Sequence, residues 1–233
     1  MNEPVHSATK RGAAVAKRKT GAPAARAPTR TNDPARTMAG ILEVATAEFA
    51  NKGLSGARID EIAAATRTSK RMIYYYFGSK EGLYLAVLEE SYRRMRSIEA
   101  DLKLSDLSPE AALRRLVEFT FDHHFGNQDY IRLVMSENMQ RGEYLAQSKI
   151  IQELNVTAIE AIRQLYDRGV ALGLFRAGLD AIDIHASISA LTFFNVSNQH
   201  TFGLIFKHDP AAEAARALRR SNIVEMIVRF VKR

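Results

Sequence analysis

The segment from residue 56 to residue 83 constrains the fold most, because its hydrophobic spacing predicts two short helices separated by a turn. In the first helix the inward-facing residues lie three and four positions apart, and they are Ile59, Ile62 and Ala63. We predict that Ser55 or Gly56 caps this helix. Weaker helix formers follow the alanines, and Ser69 then offers a hydroxyl that can cap a second helix starting near Lys70. The segment therefore predicts a helix-turn-helix unit.

The second helix carries more polar and aromatic side chains than a buried helix would. Ile73 and Phe77, four positions apart, share one face. The other faces hold cations and consecutive tyrosines, namely Lys70, Arg71, Tyr74, Tyr75 and Tyr76. Cations neutralise phosphates, and phenols donate to phosphate oxygens or contact thymine methyl groups, so this face predicts binding to double-stranded DNA. Alternatively, the tyrosines fill a core or interface, and the cations, with Lys80, form a solvated rim.

The run GARIDEIAAATRTSKRMIYYYFGSKEGLYLAVL resembles the DNA-binding segment of the TetR/AcrR family of bacterial transcriptional regulators. The resemblance covers about residues 34–88. Carried over position by position, it implies these DNA-contacting residues: Arg58, Thr68, Ser69, Lys70, Arg71, Met72, Tyr74, Tyr75, Tyr76 and Lys80. In the family, the position of Arg58 is a phosphate-contacting threonine, and that of Lys80 is a phosphate-binding lysine.

The turn and the start of the second helix depart from the family's usual pattern. Arg67 and Thr68 replace a common Gly-Val pair, and Arg71 replaces a frequent glycine. Met72 stands where a small residue is usual. We therefore expect an operator sequence that differs from those of relatives.

Helical periodicity continues along the chain and predicts an all-α fold. Asp33 and Pro34 predict the start of a helix that ends at Gly53, and another long helix is expected from Ser79 to about Glu99. Further helices are expected at about 111–125, 128–139, 147–172, 180–206 and 211–232. We predict three segments: a disordered basic arm at 1–33, a three-helix helix-turn-helix DNA-binding domain at 34–80, and a helical ligand-binding and dimerisation domain at 81–233. The family resemblance implies this same TetR-like architecture.

The positive charge is concentrated in the N-terminal 33 residues. This segment holds seven lysines and arginines against two acidic residues, a difference of +5, whereas the whole chain has a net charge of +7. It contains few bulky apolar residues, so we expect it to be disordered. The arm either strengthens DNA binding through phosphates and the minor groove or serves only as a solubilising leader. A transit peptide has a similar composition, but the bacterial resemblance disfavours it.

Apolar stripes in the last helices predict a homodimer. The residues assigned to its interface are Ile184, Ile188, Leu191, Phe202, Ile223, Ile227 and Phe230. Family members usually dimerise through their final two helices, and paired DNA-binding heads then match a palindromic operator. The alternative is that these stripes pack only within one chain.

The resemblance also implies a cavity for a small-molecule effector in the second domain. Polar groups on apolar helical faces and nearby large side chains provide the candidates: His124, Phe125, Tyr130, Met135, Met139, Phe194, Asn195 and Asn198. Each polar residue could instead be a satisfied core group, and an asparagine within a stripe could fix helix register.

Other function classes lack support in the sequence. The chain has no cysteine, phosphate-binding loop, GxSxG elbow or HExxH motif, so no enzyme, cofactor or metal is predicted. His123 and His124 are adjacent and would point about 100° apart on a helix. Charged and polar residues interrupt the longest apolar stretch, which predicts a cytoplasmic protein without a membrane partner. We therefore expect a ligand-responsive transcriptional regulator, most simply a repressor. The alternatives are an architectural DNA-binding protein without an inducer and, with less support, a helical enzyme or lipid carrier.

Overall fold

Helices form nearly all the regular structure of residues 33–233, the part of the chain that the computed structural model describes. Their bounds are α1 Pro34–Gly56, α2 Ile59–Ala65, α3 Lys70–Phe77, α4 Lys80–Ala100, α5 Pro109–Gly126, α6 Gln128–Met139, α7 Lys149–Ala171, α8 Ala181–Ser197, α9 Gln199–Phe206 and α10 Glu213–Val231. Short 3-10 helices lie at Leu104–Asp106 and Leu145–Gln147. Across this range the only β-bridge joins Phe175 to Lys232. The predicted all-α fold is confirmed, whereas the predicted basic arm lies outside the described residues except for Asp33.

The first three helices and the start of α4 share one core. Ile41, Ala45 and Phe49 of α1 are almost completely buried in it, at the spacing that the sequence predicts. Regular helix geometry in α1 is interrupted at Gly53, whose φ of 66° and ψ of 173° are non-helical. Because that φ favours glycine, Gly53 turns the chain toward α2, as predicted. We call α1, α2 and α3 the head.

A close contact with the end of α3 fixes the first turn of α4. The hydroxyl of Ser79 accepts the backbone N–H of Gly82 at 2.9 Å and thereby caps α4. A β-carbon on Gly82 would lie 2.1 Å from the carbonyl oxygen of Phe77. Only glycine permits this approach, so the angle between α3 and α4 depends on it.

A second core lies among α5, α7, α8 and α10. Its fully or nearly fully buried side chains include four that were predicted at a dimer interface: Ile184, Ile188, Ile223 and Ile227, at 0–2% exposure. Side chains buried within one chain have no surface left for a partner. Their assignment to the interface is therefore corrected, and the alternative interpretation as intrachain packing holds for these four. Leu191 packs partly buried against the same core, whereas Phe230 remains 37% exposed.

The head also packs directly on α6. Arg132 on α6 donates to the side-chain oxygen of Asn51 on α1 at 2.8 Å. Leu133 of α6 and Ile151 of α7 belong to the head core. A movement of α6 would therefore displace side chains that pack in the head core.

The stretch predicted as one helix at 180–206 is two helices separated at Asn198. Asn198 has a φ of −108° and a ψ of 5°, which are outside the helical region. The short α9 that follows has no buried residue and exposes Leu204, Ile205 and Phe206 by 63–82%. No helix in residues 33–233 is both long and apolar enough to cross a membrane.

Candidate nucleic-acid interface and cavities of the helical domain

The outer face of α3 presents the side chains that the sequence singles out. Ile73 is fully buried in the head core, whereas Tyr74 and Tyr75 are 43% and 78% exposed. Arg71 is exposed and forms no ion pair with any residue of the range 33–233. Tyr76 is half-buried and packs against the head core. The three consecutive tyrosines therefore divide into two outward-facing rings and one that packs inward.

The hydroxyl of Ser69 positions α3 by capping its first turn. It accepts the backbone N–H of Met72 at 3.2 Å, as the sequence predicts, while the side chain of Met72 is half-buried. The cap of α2 differs from the expectation: its N-cap is Arg58 rather than Ser55 or Gly56, and no side chain caps it. Because Arg58 supplies no cap through its side chain, the guanidinium remains available to interact with other groups.

The turn between α2 and α3 is a Schellman motif built around an arginine. The N–H of Thr68 donates to the carbonyl of Ala63 at 3.0 Å, and the N–H of Arg67 to that of Ala64 at 3.2 Å. Arg67 has a left-handed φ of 53°, at the position where helix ends usually place glycine. Its exposed side chain stands next to the start of α3. Arg67 is not among the residues predicted to contact DNA, although its replacement of a common glycine was a usable signal.

Two of the cations predicted to contact DNA are engaged with carboxylates of α2. The ammonium of Lys70 lies 2.5 Å from Asp60, and this pairing lowers the pKa of the Asp60 carboxyl. The guanidinium of Arg58 lies 4.0 Å from Asp60 and 3.9 Å from Glu61. Both arginine–carboxylate pairs are exposed and weak. Phosphates could therefore compete for these cations.

Lys80 is fixed in a different way. Its ammonium donates to the backbone carbonyl of Ser55 at 3.2 Å, which ties the start of α4 to the segment before α2. This bond uses one of the three ammonium protons, and Lys80 forms no ion pair within residues 33–233. The lysine can therefore hold the backbone of the head while it approaches a phosphate.

Polar side chains from three helices, α4, α5 and α6, meet inside the remaining part of the chain. His124 of α5 is 3% exposed and stacks on Tyr130 of α6 at a ring separation of 6.2 Å. His123 lies 5.6 Å from the same tyrosine ring, and Tyr92 of α4 lies 5.5 Å from it. Burial lowers the pKa of His124 to about 3, and burial together with Arg94 and Arg96 lowers that of His123 to about 4. Both imidazoles are therefore neutral at pH 7.

The eight predicted ligand contacts do not converge on one cavity. Tyr130 and Phe125 line a cleft of about 970 Å³, next to His124. Met135 and Met139 border a separate cavity of about 410 Å³ between α1 and α6. Phe194, Asn195 and Asn198 line a third, of about 290 Å³, near α9 and α10.

Asn195 already has polar partners within the chain. Its amide nitrogen donates to the Leu191 carbonyl, and its oxygen accepts from Arg219 at 3.0 Å. These bonds match the alternative of a satisfied structural group. A further cavity of about 590 Å³, none of whose lining residues was predicted to bind ligand, lies between α4 and α7. It is lined by apolar side chains such as Leu165 and by cations such as Arg168.

Two family models match most of the described chain. The model described as "Bacterial regulatory proteins, tetR family" matches residues 41–87, which include α2 and α3. The model described as "Tetracyclin repressor-like, C-terminal domain" matches residues 109–227. The first covers the helix-turn-helix unit, and the second covers more than half of the chain.

Similar proteins carry the same kind of description. The transcriptional repressor NicS of Pseudomonas putida is 34% identical over 198 residues, covering 85% of this chain and 93% of the relative. The transcriptional repressor SCO4008 of Streptomyces coelicolor is 36% identical over 139 residues, covering 59% of this chain and 69% of the relative.

Solved structures agree with the fold. A Streptomyces coelicolor structure described as a transcriptional regulator, SCO4942, has a TM-score of 0.64 and 26% identity, covering 84% of this chain and 98% of that one. A tetR-family protein of Rhodococcus has a TM-score of 0.66 at 20% identity, covering 84% and 97% of the two chains. With the helix-turn-helix geometry of α2 and α3, these matches show that the chain belongs to the TetR family of DNA-binding bacterial transcriptional regulators.

Proposed function

We propose that this protein is a sequence-specific repressor that binds a palindromic operator as a homodimer and is released by a small-molecule effector. The observation that carries the proposal is the outer face of α3, where Arg71, Tyr74 and Tyr75 are exposed on a helix capped by Ser69. The name of the relative NicS, a transcriptional repressor, supports repression. We expect the protein to act in the cytoplasm, where bacterial chromosomal DNA lies, and not as an enzyme.

Each α3 helix would enter a major groove. Arg71 and Tyr75 reach base edges. Met72 also contacts bases, but because its side chain is half-buried it extends only a short distance into the groove. Tyr74 and Thr68 contact the DNA backbone. The cations that bind its phosphates are Arg58, Lys70 and Lys80, and we add Arg67 to them. Tyr76 packs inward and positions the helix rather than reading bases.

The dimer would use apolar surface that the single chain leaves uncovered. Exposed side chains of α8 and α10, rather than the buried isoleucines, would form the interface. Their exposed fractions are 46% for Phe194, 64% for Leu218, 40% for Met226 and 37% for Phe230. Phe202 and Leu191, both half-buried, border this surface. Two copies related by a two-fold axis would present two heads, and an operator with two-fold symmetry matches that arrangement.

The effector would act by favouring a state of the dimer that does not fit DNA. Cavities of about 290–970 Å³ border α4, α6 and α8, which is a size that suits small molecules. Because α4 and α6 both contact the head, a ligand that shifts either helix would change the separation of the two α3 helices.

The test is selection of binding sites from a random DNA pool at near-physiological salt, followed by competition against bulk DNA. A palindromic sequence preferred by about a thousandfold or more is expected. The Arg71→Ala and Tyr75→Ala variants should each weaken operator binding by about tenfold or more, since a base contact contributes about 1–3 kcal/mol. Arg115→Ala removes an exposed arginine of α5 as the matched control and should leave binding unchanged.

Weak, salt-dependent binding without a consensus would refute sequence-specific repression and favour the architectural alternative. Operator binding that survives both α3 substitutions unchanged would refute the assignment of this face.

A further inference from the structure

A cleft of about 970 Å³ separates the head from the turn between α5 and α6, and we call it the junction cleft. Its walls include Met38 and Leu42 of α1, Arg94 of α4, His123 and Phe125 of α5, and Tyr130 of α6. Helix α1 belongs to the head, whereas α5 and α6 belong to the rest of the chain. A molecule in this cleft would therefore contact both.

Two polar groups in the cleft have unused binding capacity. Nδ1 of His123 is buried and has no hydrogen-bond partner in the described part of the chain, and the whole residue is 8% exposed. An unpartnered buried polar atom is unfavourable unless a ligand or water satisfies it. Arg94, on the neighbouring α4, forms no ion pair with any residue of the range 33–233.

The electrostatic surroundings of His123 are positive. Arg94 and Arg96 are the charged groups that lower its pKa, after burial itself. Glu43, Glu90 and Asp129 also line the cleft, but none of them is among the groups that shift His123. Glu90 is in addition paired with Arg93 at 2.6 Å. An anion beside the imidazole would thus meet the guanidinium of Arg94, which has no ion-pair partner within residues 33–233, while the carboxylates line other parts of the cleft.

We propose that the junction cleft binds a small organic carboxylate, with the anionic group between Arg94 and His123 and the apolar body against Met38, Leu42 and Phe125. A single unpaired cation matches a monoanion, whereas a phosphate dianion would need more positive charge. The neutral imidazole can donate one hydrogen bond and accept another, so it complements an oxygen-rich group.

The site deepens the proposed function and rests on it, because it assumes that the effector reports to the DNA-binding surface. A ligand that bridges α1 and the α5–α6 turn binds best at one separation of the head from these helices. If that separation differs from the one suited to DNA, ligand and operator oppose each other reciprocally.

The test titrates the full-length protein with benzoate and with octanoate, observed by NMR, with benzamide and inorganic phosphate as comparison probes at matched ionic strength. Both carboxylates are expected to bind more tightly than benzamide or phosphate. Arg94→Gln should weaken carboxylate binding by about tenfold, while benzamide binding stays unchanged. His123→Gln should weaken it as well, and Arg115→Gln, the matched control on α5, should not.

Operator binding is measured on the same samples without and with benzoate. Absence of carboxylate binding, or binding unaffected by Arg94→Gln and His123→Gln in proteins with unchanged circular dichroism, overturns the cleft as a carboxylate site. If carboxylates bind through Arg94 but operator affinity does not change, the regulatory coupling is overturned and the binding site stands. If the unliganded wild-type protein shows no specific operator binding, the proposed function is overturned instead. The measurement of carboxylate binding does not depend on that result.

Discussion

Mild acid should destabilise this protein because its interior holds neutral histidines. Burial, the largest cause, lowers the pKa of His124 to about 3 and that of His123 to about 4. In the unfolded chain an imidazole has a pKa of about 6.5. Between these limits the unfolded state binds more protons than the folded state, so stability falls as the pH falls below about 6.5.

The magnitude follows from proton binding to the unfolded chain. At pH 5.5 an unfolded imidazole is about 90% protonated, which stabilises the unfolded state by about 1.4 kcal/mol. His123 and His124 are both at least nine-tenths buried, so together they account for a loss of about 3 kcal/mol between pH 7.5 and 5.5. His185, whose pKa burial lowers to about 4, is only half-buried and would add less. Surface ion pairs contribute mainly at lower pH, where carboxylates become protonated.

The assay is urea unfolding at pH 7.5, 6.5 and 5.5, with ionic strength and protein concentration held constant. In the double variant His123→Gln/His124→Gln the difference between pH 7.5 and 5.5 should shrink to about 1 kcal/mol or less, since the two titrating groups are gone. The control variant His200→Gln/His208→Gln removes two exposed imidazoles and should keep the full loss. An equal loss in both double variants, or a wild-type stability independent of pH, would refute the reasoning.

Three further substitutions test local geometry. Arg67→Gly should raise the free energy of unfolding by about 1 kcal/mol, because glycine adopts the left-handed conformation without strain, and it should weaken operator binding. Arg67→Ala should weaken operator binding without raising the free energy of unfolding. Denaturation of Arg67→Gly that shows no gain in stability would contradict the argument that Arg67 is strained. Gly169→Ala should lower the stability measured by thermal unfolding by about 1–3 kcal/mol, since the new β-carbon would lie 2.0 Å from the buried ring of Phe175. Gly40→Ala is the control, because a β-carbon at Gly40 would have no atom within 4 Å. Ser69→Ala removes the cap of α3 and should lower stability by about 1 kcal/mol, with Ser69→Asp restoring it; equal stabilities of the three proteins would exclude a capping role.

Much of the head is predictable from local sequence. The interruption of α1 at Gly53 and the caps of α3 and α4 at Ser69 and Ser79 depend on residues within one turn of the feature that they determine. The separation of buried Ile73 from exposed Tyr75 follows from helical periodicity alone. The cations and tyrosines of α3 were predicted from the composition of its outer face, and the remaining DNA-contact residues except Arg67 from the family resemblance. All of these contacts with DNA remain a proposal.

Predictions that depended on neighbouring helices were less successful. Ile184 and Ile223 lie on apolar stripes. Such a stripe indicates that a helix face is buried, but it does not indicate whether the same chain or a second copy buries it. In this fold α8 and α10 cover each other together with α5 and α7, so those side chains are used within the chain. The candidate ligand contacts separated into several cavities for the same reason, since residues that share a stripe need not share a cavity.

The sequence by itself determined most of the helices, the caps of α3 and α4 and the exposed face of α3, because propensity, capping and periodicity act over a few residues. Only the tertiary structure decided which apolar faces are consumed within the chain, that α1 packs on α6, and that Arg94 and His123 border one cleft. These features depend on contacts between residues far apart in the chain, and one sequence carries no local signal for such contacts. The left-handed Arg67 belongs to both levels: its identity is visible in the sequence, but its conformation follows from how the turn closes on α2.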